Sequence, residues 1–194
     1  MSALSMVGAD TRMLLTTEDS EGELRPLAEG CGWGLFVGPK DDVLARFVLA
    51  AREAGASTVV RATGDNPLVS PAMASAALDL SSASGAAYAG FRGLPVGSGV
   101  EVIRVACLEE AYAEAVDPYE REHVAPFLYR RPERYRIEVP EAPAGFSCPG
   151  GRVTLDTRED YAFLKDLFEE LYDGRPLELD AVVPYLERRA ADAG

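Results

Sequence analysis

Cysteine, histidine and tryptophan are scarce in this chain, and each shortage excludes a kind of chemistry. Three cysteines in 194 residues, Cys31, Cys107 and Cys148, are odd in number, widely spaced and form no Cys-x-x-Cys pair. They do not make a disulfide framework and are expected to be reduced thiols, as in a cytosolic protein. His123 is the single histidine, with no second histidine or nearby cysteine to build a zinc site. No apolar run approaches the ~18 residues that span a bilayer, so no membrane partner is expected. The amino terminus shows no charged region followed by a long apolar stretch, the pattern of a signal peptide. Basic residues are also few: 19 Lys and Arg stand against 32 Asp and Glu, a formal charge of −13. That balance argues against nucleic acid, whose phosphate backbone needs a basic face. The expectation is a soluble, cytoplasmic protein.

What is present is an alternation of short apolar runs and amphipathic stretches, in a chain that is 47% hydrophobic. Such alternation predicts an α/β fold with a mainly parallel sheet, and 194 residues fit one domain. Strands are expected at Met13–Thr16, Gly34–Val37, Thr58–Ala62, Ala86–Ala89, Val100–Arg104, Tyr135–Val139 and Val153–Leu155. Helices are expected at Glu23–Glu29, Asp41–Ala54, Pro71–Leu80, Arg158–Tyr172 and Leu179–Arg189. Asp117-Pro-Tyr-Glu120 opens another helix, with Asp as cap and Pro in the first turn; Pro126 should kink or break it.

Two aspartates stand out. Asp65, in Arg61-Ala-Thr-Gly-Asp-Asn-Pro-Leu68, and Asp156, in Arg152-Val-Thr-Leu-Asp-Thr-Arg-Glu-Asp160, each follow a predicted strand. Carboxyl ends of strands are where open α/β sheets place ligands. Two acids brought together can hold a hard divalent cation, which in turn binds triphosphates. Each also has a plainer reading: Asp65 as a turn acid beside Asn66-Pro67, and Asp156 as part of a helix start in which Thr157 caps and Asp160 closes the box.

Four segments occur together in order: Arg61–Leu68, Leu94-Pro-Val-Gly-Ser-Gly-Val-Glu101, Tyr119-Glu-Arg-Glu-His-Val124 and Val153–Asp160, with Asp41-Asp-Val-Leu-Ala-Arg-Phe47 as a fifth. In these the chain resembles the cytidylyltransferases of the spore-coat polysaccharide (SpsF) type, relatives of the acylneuraminate and Kdo cytidylyltransferases. The resemblance implies a Rossmann-like nucleotidyltransferase fold, CTP and a sugar as substrates, Mg²⁺ as cofactor and a homodimer. It implies Asp65 and Asp156 as catalytic, metal-holding acids, and Glu101 beside the sugar. Arg121, Glu122 and His123 match a segment on the sugar side or at the dimer contact. Arg61 either meets phosphate or pairs with a neighbouring acid, and pairing is the preferred reading. His123 and Glu101 also have structural readings, as a satisfied helical histidine and a solvent-facing strand acid.

The chain departs from the family pattern at its start. Such enzymes open with a strand and a loop of the form Ala-Arg-x-x-Ser-x-Arg-Leu-Pro-Gly-Lys, which holds triphosphate and base. Nothing here corresponds to it, and Met1–Asp10 resembles the tail of the helix that should follow. The expectation is a fold lacking that first strand–loop–helix unit, with neighbouring strands short of a partner. Two alternatives stay open: a glycosidase using paired carboxylates, against which the single tryptophan counts, and a non-catalytic relative acting as a dimerisation or regulatory partner.

Overall fold

The computed structural model describes residues 1–192. Among these residues six strands and eight α-helices follow in the order β1 Met13–Thr16, α1 Glu18–Gly30, β2 Gly34–Val37, α2 Val43–Ala54, β3 Thr58–Arg61, α3 Pro71–Ser84, β4 Tyr88–Ala89, β5 Glu101–Arg104, α4 Val105–Glu114, α5 Pro118–His123, α6 Pro126–Tyr129, β6 Ile137–Glu138, α7 Arg158–Leu171 and α8 Leu179–Asp192. Short 3-10 turns lie at Leu4–Met6 and Ala144–Phe146. Among the described residues no helix is long and apolar enough to cross a membrane.

The strands form two sheets. β1 and β2 pair in parallel, and β3-β5-β4-β6 make a four-stranded sheet. Within the larger sheet β5 runs antiparallel to both β3 and β4, while β4 and β6 are parallel. The expected mainly parallel sheet is therefore a mixed one. The reversal comes from the connection between β4 and β5, which is a looped segment rather than the crossover helix a parallel pair requires. β1, β2, β3 and β6 each carry a ladder on one edge among the described residues.

Side-chain alternation along these strands divides the core. Val59 of β3, Tyr88 of β4, Ile103 of β5 and Ile137 of β6 join the cluster of Leu44, Val48, Leu108, Phe127 and Leu128 from α2, α4 and α6. Val60, Ala89 and Val102 point the other way, against Ala77 of α3. That period of two makes a sheet between helical layers. A third cluster joins α7 and α8 to Leu68, Met73 and Val153.

Several helix ends follow from their sequence. Asp42 accepts from the Ala45 amide at 2.9 Å and starts α2, and Gly55 closes it at φ 61°. Ser70 accepts from Met73 at the head of α3, and Asp117 caps α5. The chain breaks between α5 and α6 at Val124, just before Pro126, through a γ-turn: φ 72°, ψ −62°, with the Ala125 amide donating to the His123 carbonyl at 2.9 Å. Val124 is fully buried. A β-branched residue held there stores about 1–3 kcal/mol of strain, which the burial of its side chain offsets.

Three expectations are corrected. Val153–Leu155 is not a regular strand; only an isolated parallel bridge, Val96 to Arg152, marks this stretch. α1 starts at Glu18, well before Glu23, because Glu18, Asp19 and Glu21 favour a helix amino terminus. α4 was not expected, since β5 runs into it directly and its cap, Arg104, makes no side-chain capping bond.

Candidate functional site

Three separated loops lie side by side at one end of the larger sheet. β3 ends at Arg61 and turns through Gly64 and Asp65, the Asn66 amide donating to the Thr63 carbonyl at 3.1 Å. The glycine-rich loop then docks on residues 151–153: Val96 donates to Gly151 and Val153 donates to Val96, both at 2.8 Å. Leu155 completes the row, its amide donating to the Asp65 carbonyl at 2.8 Å. Asp65 and Asp156 thus come from distant parts of the chain to one rim. The structure brings together the backbone segments that carry the two acids, and Asp156 follows an extended loop rather than a strand.

Gly97 makes this close approach possible. Its φ is 93°, and a Cβ there would lie 2.5 Å from Thr154 Cγ2 and 2.9 Å from the Thr154 amide nitrogen. Any side chain would push the glycine-rich loop off the segment that carries Asp156. Beside Gly97, Asn66 Oδ1 and Thr154 Oγ1 are buried without hydrogen-bond partners. Neither Gly97 nor these two polar groups is marked by the sequence as part of a site, although Gly97 and Asn66 lie within the motif segments Leu94–Glu101 and Arg61–Leu68.

The two acids differ in engagement. Asp156 is exposed and forms an ion pair with Arg152, while Asp65 is half-buried and takes part in no ion pair among the described residues. Behind Asp156, Thr157 Oγ1 accepts from the Asp160 amide at 3.1 Å, and the Asp160 carboxylate accepts from the amides of Asp156 and Thr157 at 3.0 and 2.9 Å. Those amide bonds hold the Asp160 carboxyl below the usual carboxylate range. The capping box is therefore real, and it fixes the backbone from which Asp156 projects.

No group of three or more His, Cys, Asp or Glu side chains able to hold a metal occurs among the described residues. A protein-only cage is thus absent there. Two carboxylates on one rim do suit magnesium, which keeps several waters and takes its remaining ligands from phosphate.

Arg61 and Glu101 lie directly opposite each other across the β3–β5 ladder. Arg61 Nη1 pairs with Glu101 Oε2, and Tyr88 Oη donates to Glu101 Oε1 at 3.2 Å. The Arg61 guanidinium also lies over the Phe47 ring, 5.5 Å from its centroid. Arg61 is therefore committed to an acid, as preferred from sequence. Burial and the neighbouring Glu101 carboxylate push the Tyr88 phenol well above its ordinary value, so it stays a protonated donor. Tyr129 of α6 meets Tyr88 edge-on at 5.8 Å.

The remaining sequence candidates lie on α5. Arg121 donates to the Tyr112 carbonyl at 2.7 Å and pairs with Asp42, tying α5 to the cap of α2. Glu122 and His123 are exposed, and the His123 ring lies against Tyr119 with centroids 4.2 Å apart. Tyr88 and Tyr129 lie outside the motifs that the sequence offers, because they sit on separate elements, β4 and α6.

The layered α/β fold is shared with a cytidylyltransferase from Leptospira borgpetersenii. That structure matches with a TM-score of 0.82 over 92% of this chain and 76% of the other, at 24% identity. Residues 14–182 match the cytidylyltransferase family, and the chain belongs to that family. Among curated relatives it is 30% identical over 158 residues to the spore coat polysaccharide biosynthesis protein SpsF of Bacillus subtilis, covering 81% of this chain and 66% of that protein. It is 27% identical over 179 residues to an uncharacterized protein of Methanocaldococcus jannaschii, covering 92% of this chain and 73% of that one.

Proposed function

We propose that this chain is a cytidylyltransferase of polysaccharide biosynthesis, acting in the cytoplasm as a homodimer, that transfers the cytidylyl group of CTP to a sugar. A sugar hydroxyl attacks the α-phosphorus, the bond to the leaving oxygen breaks, and pyrophosphate departs. The observation that supports this reading is the docking of the Leu155 amide on the Asp65 carbonyl at 2.8 Å, by which the two family motifs meet backbone to backbone. Membership of the family and likeness to SpsF support the substrate class.

In this reading Asp65 and Asp156 would hold Mg²⁺, which would supply neutralisation of the charge on the phosphate oxygens. Asp65 is ready for that role, while Asp156 has to exchange its ion pair with Arg152 for the cation. Glu101 accepts hydrogen bonds from sugar hydroxyls, with Arg61 holding it in place. His123 and Glu122, exposed on α5, border the same side or the second subunit. The capping box keeps the Asp156 backbone fixed, so that only its side chain has to turn from Arg152.

The test is calorimetric titration of CTP with Mg²⁺ into the full chain, followed by pyrophosphate release with added sugars. Metal-dependent binding in the micromolar range that is lost in Asp65→Asn supports the reading. A folded chain that gives no heat with CTP sinks it and favours the alternative of a non-catalytic partner of a second enzyme.

A further inference from the structure

Glu101 is held at both of its oxygens. Oε2 takes Arg61 Nη1 and Oε1 takes the Tyr88 hydroxyl at 3.2 Å. The three side chains come from neighbouring strands and share one face of the sheet. Arg61 is directly across from Glu101, and Tyr88 is registered with Ile103, two residues further along β5. Diagonal neighbours on an antiparallel pair lie within reach of a long aromatic side chain. A carboxylate offers about four lone-pair positions; two are used here, and the side chain of Glu101 remains 22% exposed. It is a partly buried acceptor with fixed direction and unused capacity, at the sheet end from which β3 leads to Asp65.

We propose that Tyr88 is a positioning residue for the acceptor sugar: its hydroxyl fixes the Glu101 carboxylate in the orientation that receives the sugar's hydroxyls. The inference rests on the cytidylyl-transfer reading above. Arg61 alone restrains one oxygen and leaves the carboxylate free to rotate about that contact; the second anchor removes this freedom before substrate arrives, which lowers the entropy cost of binding. Tyr129, edge-on to Tyr88 and partly exposed, packs beside this anchor.

The experiment measures pyrophosphate release from CTP and Mg²⁺ by the full chain, with N-acetylneuraminate, Kdo and glucose as trial acceptors. With whichever sugar is turned over, Tyr88→Phe is expected to raise the sugar KM about tenfold, the effect of losing one hydrogen bond to a charged group. The CTP KM should stay close to that of the unsubstituted chain. In a Glu101→Gln background the same substitution should have little further effect. An unchanged sugar KM, an equal rise in both KM values, or a full effect of Tyr88→Phe without Glu101 overturns the positioning role and leaves the transfer reading intact. Release with none of the three sugars overturns both together.

Discussion

Leu155 and Asp65 are joined backbone to backbone, amide to carbonyl at 2.8 Å, and this bond joins two motifs that are remote in sequence. It brings the backbone of Asp65 beside the residue that precedes Asp156, and among the described residues no side-chain hydrogen bond or ion pair links the two acids. Chemistry at the rim can therefore be altered separately from the fold beneath it.

Asp65→Asn is expected to abolish Mg²⁺-dependent CTP binding while leaving the melting curve unchanged, since its carboxylate supports no ion pair of the described residues. Asp156→Asn should abolish the same binding and also lower stability by about 0.3–1 kcal/mol, through loss of a negative charge at the start of α7. Calorimetric titration and urea denaturation of both variants check the pair. Full nucleotide affinity in either one removes that acid from the metal site.

Gly97→Ala should destabilise the protein by at least about 1–2 kcal/mol from backbone strain alone at φ 93°. The added Cβ would meet Thr154 2.5 Å away, so the loop must shift. CTP affinity should then fall together with stability, because the moved segment carries Asp156. Unaltered stability would show that the glycine-rich loop is not locked against Thr154.

Arg121→Ala separates a structural role from a substrate role. Loss of its bonds to Asp42 and the Tyr112 carbonyl is expected to cost about 1–3 kcal/mol, with CTP affinity retained. A variant that denatures normally in urea but loses sugar turnover would return Arg121 to the sugar side.

Glu178 gives a pH signature. It is partly buried and accepts from Ser70 Oγ at 2.9 Å and the Ala72 amide at 3.3 Å at the start of α3. Burial raises its carboxyl above the usual 4.5. A carboxyl raised in the folded state contributes stability below its unfolded value, and that contribution is lost as pH rises through the folded value. Glu178→Gln keeps an acceptor for Ser70 without the buried charge. Its stability relative to the original chain should thus improve from about pH 4 to about pH 7. Thermal denaturation across that range tests this, and a constant difference would contradict it.

Much of the framework is legible because its signals are local. Asp42 and Gly55 mark both ends of α2, Asp117 opens α5, and Pro126 announces the break that appears at Val124. Where the deciding contact is distant, the sequence is silent. Val153–Leu155 has the composition of a strand, yet its partners are Val96 and Asp65 in loops, so no regular ladder forms. The direction of β5 depends on how the segment after β4 returns, which no residue type announces. α4 begins without a capping side chain or turn residue, so the passage from strand to helix leaves no mark. At the site, the ordered motifs point to Asp65 and Asp156, and the preferred pairing of Arg61 with an acid is observed with Glu101. Tyr88, which supplies the second anchor of Glu101, lies outside all of those motifs and is visible only once β4 is seen beside β5.

The one-sided ladders of β1 and β3 bear on how copies of this protein behave in concentrated solution. An open strand edge is a template for another chain, and proteins commonly guard such edges with charge. Here the guard is global: a formal charge of −13 makes molecules repel one another. Salt shortens the reach of that repulsion, from about 8 Å at physiological ionic strength to about 3 Å at 1 M. Colloidal stability should consequently fall as salt rises, and dilute buffer is the condition in which this chain is best kept.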